Sequence, residues 1–353
     1  MKNKNEMMKA LVLHGIGDIR CEEVPRPQPK AGEVLLKIKA SGICGSDVGR
    51  IFVKGTYHFP TIPGHEFAGQ IVALGEGTDA SLLNRAASVF PLLPCHECDM
   101  CEVGEYASCR NYNYFGSRCD GGFADYIAVP AWNLVLCDKE LSYLEMAMAE
   151  PAAVSLHALS RAGINPGDVV AIFGCGAIGL MLASLAKMCG ASKVILLDID
   201  QAKLDFANSI GFEYTVNNKT RDWERVVLDI TKGKGVDLAL EGAGVSQTYA
   251  ACLRTVKPLG KVVLMGNPAG DMNLSQHDYW EILRKQLQLF GTWNSSYTHK
   301  KNDWEIVLNA MADKKVELKP FVTQKFSLDE YQQAMKLISE KTDFYNRIIF
   351  EME

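Results

Sequence analysis

Hydrophobic and polar residues change their pattern along this chain at about Pro166. Before that point, short alternating or β-branched segments such as residues 34–40 and 69–74 lie between closely spaced prolines and glycines, which predicts a mainly β region. After it, short apolar segments typical of buried strands alternate with segments of helical spacing. Strands are predicted at 169–173, 193–197, 238–240 and 261–265, and helices at 177–188 and 201–210.

This alternation predicts an α/β fold with a doubly wound parallel sheet, because repeated β-α-β units run successive strands parallel and cover both sheet faces with helices. After about Tyr297 the pattern returns to helix, at 302–312 and 328–340, and ends with a strand at 347–351. The length of 353 residues is typical of about two domains.

Composition and charge exclude several classes of protein. Hydrophobic residues make up 48% and charged residues 22%, as in ordinary folded domains. The 37 Lys and Arg against 42 Asp and Glu give a net charge of −5, which argues against binding nucleic acid through its phosphates. Glycines interrupt the uncharged run at 169–186, so a buried strand and helix explain it better than a membrane span. The amino terminus lacks a signal-peptide pattern, and we expect a cytoplasmic protein.

A glycine-rich turn follows the predicted strand at 169–173 and opens the predicted helix. Its sequence, Gly174-Cys-Gly176-Ala177-Ile178-Gly179, has the spacing of a dinucleotide-binding loop in the required strand–turn–helix context. The next strand ends at Asp198, where a carboxylate would bind ribose hydroxyls and repel a 2′-phosphate. We expect NAD rather than NADP; the alternative is a glycine turn that binds no nucleotide.

Four of the eleven cysteines lie close together, as Cys95, Cys98, Cys101 and Cys109 in the pattern C-x2-C-x2-C-x7-C. Four thiolates suit a closed tetrahedral zinc site, which leaves no position for a substrate and is therefore structural. An iron–sulfur cluster and four free buried thiols are the alternatives. The chain lacks the further Cys-Pro segment of a ferredoxin, which favours zinc.

Three other segments carry residue types that bind metals, each a weak signal alone. They are Gly42-Ile-Cys44-Gly-Ser46-Asp47, Gly64-His65-Glu66 and Glu150-Pro151. A single histidine or cysteine is more often a buried structural residue, and Glu150 by the same reasoning is a loop carboxylate. Their occurrence with a dinucleotide loop and a cysteine cluster strengthens the metal interpretation.

In this order the motifs resemble the zinc-dependent medium-chain dehydrogenase/reductase family, and within it the polyol dehydrogenases. The resemblance covers nearly the whole chain. The family's Gly-Asp turn before the cysteine cluster is replaced here by Asn84-Arg85. Further matching stretches are Arg50-Ile-Phe52, Pro91-Leu-Leu-Pro94-Cys95, Phe115-Gly-Ser-Arg118, Asp120-Gly-Gly-Phe123 and Gly291-Thr-Trp293.

The resemblance implies that the chain is divided into three parts. Residues 1–160 would form a GroES-like β-rich catalytic domain, with the structural zinc lobe at 91–112. Residues 161–297 would form a Rossmann NAD-binding domain, and residues 298–353 would return to the catalytic domain. It also implies two Zn²⁺ per chain, one catalytic and one structural, and a homodimer or homotetramer.

The resemblance further assigns the site residues. Cys44, His65 and Glu150 would hold the catalytic zinc, with Glu66 as an exchangeable ligand or close partner. Asp47 would orient His65, and Ser46 would relay the substrate proton. The reaction would be NAD-dependent oxidation of a secondary alcohol whose oxygen is bound to zinc.

The substrate implied is a small polyol or polyol phosphate. A phosphate needs cationic partners, and the candidates are Arg50, Lys54 and Arg118, each of which is equally well explained as a surface cation. The alternatives are an unphosphorylated polyol or vicinal-diol dehydrogenase of the sorbitol, xylitol or butanediol type, a zinc-free reductase of the same superfamily, and a zinc-binding nucleic-acid module. The last of these leaves the dinucleotide loop and the negative charge unexplained.

Overall fold

A computed structural model describes residues 6–268 and 270–353, which divide into two compact units. The first unit comprises the described residues up to Pro151 together with Ser296–Lys314 and Phe321–Glu353. The second comprises Ala152–Ser295 and the short segment Lys315–Pro320.

Both units contain strands and α-helices. In chain order, the strands are β1 (Met7–Gly15), β2 (Asp18–Pro25), β3 (Glu33–Gly42), β4 (Glu66–Leu74), β5 (Ala86–Val89), β6 (Leu92–Leu93), β7 (Asn113–Tyr114), β8 (Tyr126–Pro130), β9 (Leu134–Leu136), β10 (Val169–Phe173), β11 (Lys193–Asp198), β12 (Tyr214–Asn217), β13 (Val236–Glu241), β14 (Val256–Leu264), β15 (Gln288–Gly291), β16 (Val322–Phe326) and β17 (Arg347–Glu351). The α-helices are α1 (Gly45–Gly49), α2 (Asp99–Glu102), α3 (Tyr143–Ala147), α4 (Ala149–Ala162), α5 (Ala177–Met188), α6 (Gln201–Ser209), α7 (Trp223–Ile230), α8 (Ser246–Thr255), α9 (Gln276–Lys285), α10 (Asp303–Ala312) and α11 (Tyr331–Glu340).

The first unit is built on a mixed sheet in the order β16-β17-β3-β4-β5-β9, with β8 also paired to β3. Buried positions of β3 and β4, among them Leu36, Ile38 and Phe67, pack in one apolar cluster of this unit. The carboxyl-terminal strand β17 pairs antiparallel with β3, so that Ile349 lies opposite Gly42. The carboxyl-terminal strands β16 and β17 therefore complete a sheet whose other strands come from residues 33–136.

The second unit is a parallel sheet in the order β12-β11-β10-β13-β14-β15. Residues 170–173 of β10 are fully buried, as expected for a central strand covered by helices on both faces. The chain moves outwards from β10 to β12 and then returns to β13, which pairs with β10 on its other side. The predicted α/β fold class with a doubly wound parallel sheet is confirmed.

The predicted elements agree best with the observed ones where the apolar pattern in the sequence is strong. β10, α5 and β17 match the predicted bounds, whereas β14 begins at Val256 and ends at Leu264 rather than spanning 261–265. The short strands β12 and β15 contain polar residues and were not predicted. In the described part of the chain, none of the helices has the length and apolar character needed to cross a membrane.

Candidate metal centres and dinucleotide loop

The four cysteines of the lobe bring their sulfur atoms to one place. The sulfur of Cys109 lies 3.5 Å from that of Cys95, and Cys98 lies 3.6 Å from Cys101. The Cys95–Cys101 and Cys98–Cys109 separations are 3.9 and 4.0 Å. Zinc–sulfur bonds of about 2.3 Å in a tetrahedron place sulfur atoms about 3.8 Å apart. The sulfur positions therefore fit a single tetrahedral ion.

Backbone groups of the lobe favour thiolate. Hydrogen bonds from the backbone of Arg110 and Cys101 lower the pKa of Cys98 to about 6. The amide of Cys95 donates to the sulfur of Cys109 at 3.3 Å. Burial has the opposite effect on Cys101, whose pKa it raises. Four sulfur atoms at these distances are the donor set that zinc prefers, and zinc binding would deprotonate the thiols that remain protonated.

The second cluster is assembled by the register of β3 and β4. Gly42 near the end of β3 is paired with Glu66 at the start of β4, so the residues just beyond them, Cys44 and His65, come together. Ligand atoms of Cys44, His65 and Glu66 lie within 4.8 Å of one another. A side chain at position 42 would overlap the carboxylate of Glu66 and the guanidinium of Arg347, so a glycine is needed there.

The electrostatics of this cluster couple a thiolate to an imidazolium. Burial by itself would raise the pKa of Cys44, but the charge and hydrogen bond of His65 outweigh it and leave that pKa lowered. Burial likewise opposes protonation of His65, yet Asp47 and Cys44 raise its pKa well above the usual value. The pocket thus favours a positive charge among these groups.

Asp47 connects this cluster to the helix that follows it. Its carboxylate is fully buried, accepts from the amide of Cys44 at 3.1 Å and lies 3.1 Å from Nδ1 of His65. Nη1 of Arg50 donates to the same carboxylate at 3.1 Å and to Oγ of Ser46 at 2.9 Å. Arg50 therefore lies beside the cluster of Cys44, His65 and Glu66.

Glu150 lies beside these ligands in a helix. It occupies the first turn of α4, where Pro151 is well tolerated, so the alternative interpretation of Glu150 as a loop carboxylate does not hold. It is 7% exposed, and its pKa is raised by burial, with His65 as the main opposing influence. The hydroxyl of Tyr114 donates to Glu150 Oε1 at 3.4 Å, and the Tyr114 ring lies 5.6 Å from that of His65.

Sequence reasoning missed two residues of this cluster. Arg347, which opens β17, is 4% exposed and forms a buried ion pair with Glu66. Tyr114, the partner of Glu150, was not singled out either. A cation at the start of the apolar strand 347–351 was the available signal for Arg347; Tyr114 gave none.

The residues of the second cluster fit a zinc ion. Thiolate, imidazole and carboxylate are its usual protein ligands. Apart from the ion pair with Arg347, neither oxygen of Glu66 accepts a hydrogen bond within the described chain. Because Asp47 engages Nδ1 of His65, the other ring nitrogen remains for a metal, as in most histidine–metal sites.

The glycine turn has the structure expected for phosphate binding. It connects β10 to α5, and Gly176 caps the helix without a side chain, which leaves amide groups at the helix start. A Cβ at Gly179 would overlap the carbonyl oxygen of Gly174, so this close approach of turn and helix requires glycine. The predicted residues Ala177 and Ile178 form the first turn of α5.

Asp198 lies at the end of β11 and reaches back to this turn. Its carboxylate accepts from the amide of Cys175 at 2.7 Å and from that of Asp200 at 3.0 Å. Nζ of Lys203 lies 3.8 Å away. The side chain is thus held beside the glycine turn in one orientation.

The other two candidate substrate cations differ in their surroundings. The guanidinium of Arg118 lies 4.3 Å from the ring centres of both Tyr57 and Tyr112. It donates to the hydroxyl of Tyr57 at 3.2 Å and to the carbonyl of Tyr112 at 3.1 Å. Lys54 is exposed at the end of the single π-helical turn that follows α1.

Comparison with known proteins identifies the class. Residues 30–139 match the alcohol dehydrogenase GroES-like domain, and residues 177–313 match the zinc-binding dehydrogenase domain. The chain belongs to the zinc-dependent medium-chain dehydrogenase/reductase family, as its motifs predict, and is an oxidoreductase of that family.

Within the family the chain is similar to polyol dehydrogenases. It is 35% identical to galactitol 1-phosphate 5-dehydrogenase of Escherichia coli K12, over 94% of this chain and 96% of that protein. It is 33% identical to sorbitol dehydrogenase of Bacillus subtilis strain 168, over 93% of each chain.

Two solved structures share the fold over nearly all of both chains. Galactitol-1-phosphate dehydrogenase from Escherichia coli superposes with a TM-score of 0.92 at 33% identity, covering 98% of this chain and 100% of that one. A zinc-binding dehydrogenase from Sinorhizobium meliloti 1021, bound to NADP, superposes with a TM-score of 0.89 at 29% identity, covering 98% and 99%.

Proposed function

We propose that this protein is a zinc- and NAD-dependent polyol dehydrogenase whose preferred substrate is galactitol 1-phosphate, oxidised to tagatose 6-phosphate. The observation that carries the proposal is the convergence of Cys44, His65 and Glu66 within 4.8 Å, in a chain that also has a dinucleotide loop. The similarity to galactitol 1-phosphate 5-dehydrogenase supports the choice of substrate.

Two groups of residues would hold zinc. Cys44, His65 and Glu150, with Glu66 as an exchangeable partner, would hold the catalytic ion; Cys95, Cys98, Cys101 and Cys109 would hold the structural ion. A bound zinc supplies Lewis acidity that acidifies an alcohol, and a bound nicotinamide supplies the hydride acceptor. The ion pair with Arg347 would hold the carboxylate of Glu66 beside this site.

Ser46 is the candidate for moving the substrate proton. Its oxygen accepts a hydrogen bond from Arg50 at 2.9 Å. A guanidinium can only donate, so the hydroxyl hydrogen of Ser46 is directed to a different acceptor. The exposed position of Ser46 at the start of α1 suits a relay towards solvent.

Asp198 supports NAD as the cofactor. Because its carboxylate is held beside the glycine turn, it would face the adenosine ribose and repel a 2′-phosphate. We expect kcat/KM to be at least about tenfold higher with NAD than with NADP, or about 1.4 kcal/mol. Asp198→Ala should reduce this preference, measured by initial rates with both cofactors. Equal rates in the unchanged enzyme would contradict the assignment.

Arg118 is the leading candidate for the substrate phosphate. Two tyrosine rings hold its guanidinium, which limits the entropy lost when it binds an anion. Lys54 is the exposed second candidate. Arg50 is less suited, since it is already bonded to Ser46 and Asp47.

A substrate panel of polyols and polyol phosphates with NAD tests the proposal. A charge-assisted contact contributes about 1.5–3 kcal/mol, so free galactitol should show a kcat/KM roughly ten- to a hundredfold lower than its 1-phosphate. Arg118→Ala should reproduce most of that loss with the phosphate and barely change the rate with galactitol. Arg20→Ala, an exposed arginine paired with Asp18, is the matched control and should change neither.

The runner-up is an unphosphorylated polyol or vicinal-diol dehydrogenase. The 33% identity to sorbitol dehydrogenase supports it nearly as well as the 35% identity supports the phosphate. If free polyols react as fast as their phosphates, this alternative replaces the first. A homodimer or homotetramer, proposed by analogy with the family, is tested by light scattering.

A further inference from the structure

The strand order of the parallel sheet reverses between β10 and β13. In doubly wound sheets, ligands bind outside the carboxyl ends of the strands at such a point. Two loops flank it here: the glycine turn after β10 and residues 242–245 after β13. The amide of Gly242 donates to the carbonyl of Phe173 at 3.0 Å, so the two loops begin side by side.

Glu241, the last residue of β13, holds the second of these loops. Its Oε1 accepts from the amides of Ala243 and Gly244 at 2.9 and 2.8 Å and from the hydroxyl of Thr248 at 2.6 Å. Its backbone carbonyl accepts from the amides of Met265 and Gly266 at 3.1 and 2.9 Å. One residue thus joins the loop after β13, the start of α8 and the loop after β14.

The carboxylate of Glu241 is buried, so it must be stabilised by hydrogen bonds. Glu241 is 1% exposed, and its donors are two amides and a hydroxyl, all neutral. Burying an anion is costly unless hydrogen bonds offset the lost hydration. Three donors on a single oxygen offset much of this cost and at the same time determine the path of residues 242–245.

We propose that Glu241 is a positioning residue for the dinucleotide, which fixes residues 242–245 as the second wall of the binding crevice before the cofactor arrives. The inference rests on the proposed NAD binding and deepens it. Asp198 lies on the β10–β12 half of the sheet, which takes the adenosine. The loop held by Glu241 lies on the other half, so it should affect the nicotinamide half of NAD.

The same strand offers a matched control. Asp237, near the start of β13, accepts from the amide of Val169 at 2.7 Å and forms an ion pair with Lys257. It anchors backbone as Glu241 does, but at the amino-terminal edge of the sheet, where cofactors do not bind. Asp237→Asn should lower the melting temperature and leave cofactor binding unchanged.

The experiment measures the Kd of NAD and of AMP for the purified full chain by calorimetry. Glu241→Leu should raise the Kd of NAD at least tenfold, equivalent to about 1.4 kcal/mol, while the Kd of AMP stays within twofold. Glu241→Gln keeps an acceptor oxygen and should remain within threefold of the unchanged protein. Thr248→Val removes one donor at constant volume and should raise the Kd of NAD two- to fivefold, which keeps the test valid if Glu241→Leu fails to fold.

Three results would overturn the inference. The first is an unchanged Kd of NAD in Thr248→Val and in every Glu241 variant that folds. The second is an equal weakening of AMP and NAD, which would indicate general damage. The third is a Kd of NAD raised as much by Asp237→Asn as by the Glu241 variants. An unchanged protein that binds AMP but neither NAD nor NADP would instead refute the proposed function, and the inference with it.

Discussion

The two metal-ligand clusters of the first unit are built in opposite ways. The four candidate ligands of the cysteine lobe all lie between Cys95 and Cys109, in one short segment that contains two short helical turns. The other cluster takes Cys44 from just after β3, His65 from just before β4 and Glu66 from the first position of β4, and Glu150 at the start of α4 lies near it. The first is a local structure that a single ion would hold together, and the second depends on a sheet.

The residues that surround the two clusters also differ. The sulfur atoms of the lobe lie close to one another and to a backbone amide, that of Cys95. The second cluster is enclosed by buried charged groups: Asp47 is fully buried, and Arg347 is 4% exposed. A site for chemistry needs partners that tune its ligands, whereas a closed structural site needs only the four ligands.

The largest expected effect is the loss of activity when a ligand of the second cluster, rather than of the lobe, is replaced. Cys44→Ser removes a thiolate from the proposed catalytic site, so we expect kcat to fall at least about a thousandfold, or about 4 kcal/mol. Because β3 and β4 are held by their own pairing, the fold and the zinc of the lobe should remain. Steady-state kinetics and metal analysis measure both; full activity in this variant would refute the assignment of Cys44.

The second effect concerns stability. Closed zinc sites contribute folding free energy directly, so Cys101→Ser should lower the free energy of unfolding by several kcal/mol and release one zinc per chain. Denaturant unfolding and metal analysis test this. The control is Cys137→Ser, a cysteine outside both clusters. If Cys101→Ser is as stable as this control and keeps both ions, the lobe is not a structural zinc site.

The smallest effect tests whether Glu150 is a ligand. Tyr114→Phe removes the donor that lies 3.4 Å from Glu150 Oε1, a long and therefore weak hydrogen bond. We expect the zinc affinity of the catalytic site to change by about threefold, and that of the lobe to remain constant. Competition with a chelator resolves the two ions. A change in the lobe ion instead would show that the variant acts through general destabilisation.

Local motifs were predictable in this chain. The lobe was recognised from the spacing of its four cysteines, and β10 and α5 from apolar runs on either side of a glycine turn. Asn84 illustrates the limit of such reasoning. It replaces a glycine of the family's turn and adopts a φ of 67°, a left-handed conformation that asparagine tolerates better than most residues. A turn therefore forms at Asn84 without a glycine.

Partners distant in sequence were not predictable in the same way. The ion pair of Arg347 with Glu66 joins residues far apart in the sequence, because β17 pairs with β3, which in turn pairs with β4. The alternative that places Glu150 in a loop does not hold, because the residue lies in the first turn of α4. Glu241 was not among the candidate residues, although its carboxylate folds back onto the loop that follows it.

The sequence by itself determined the fold class through periodicity, and the cysteine lobe and glycine turn through short fixed spacings. The family and the candidate ligands Cys44, His65 and Glu150 followed from the resemblance of the ordered motifs to a known family. Only the tertiary structure decided which buried charges face one another. The register of β3 with β4 and β17 brings Cys44, His65, Glu66 and Arg347 together, and the end of β13 places Glu241 under the loop it holds. Such contacts arise from pairing between strands that are distant in sequence, and the local pattern of a strand shows which face is buried but does not identify its partner strand.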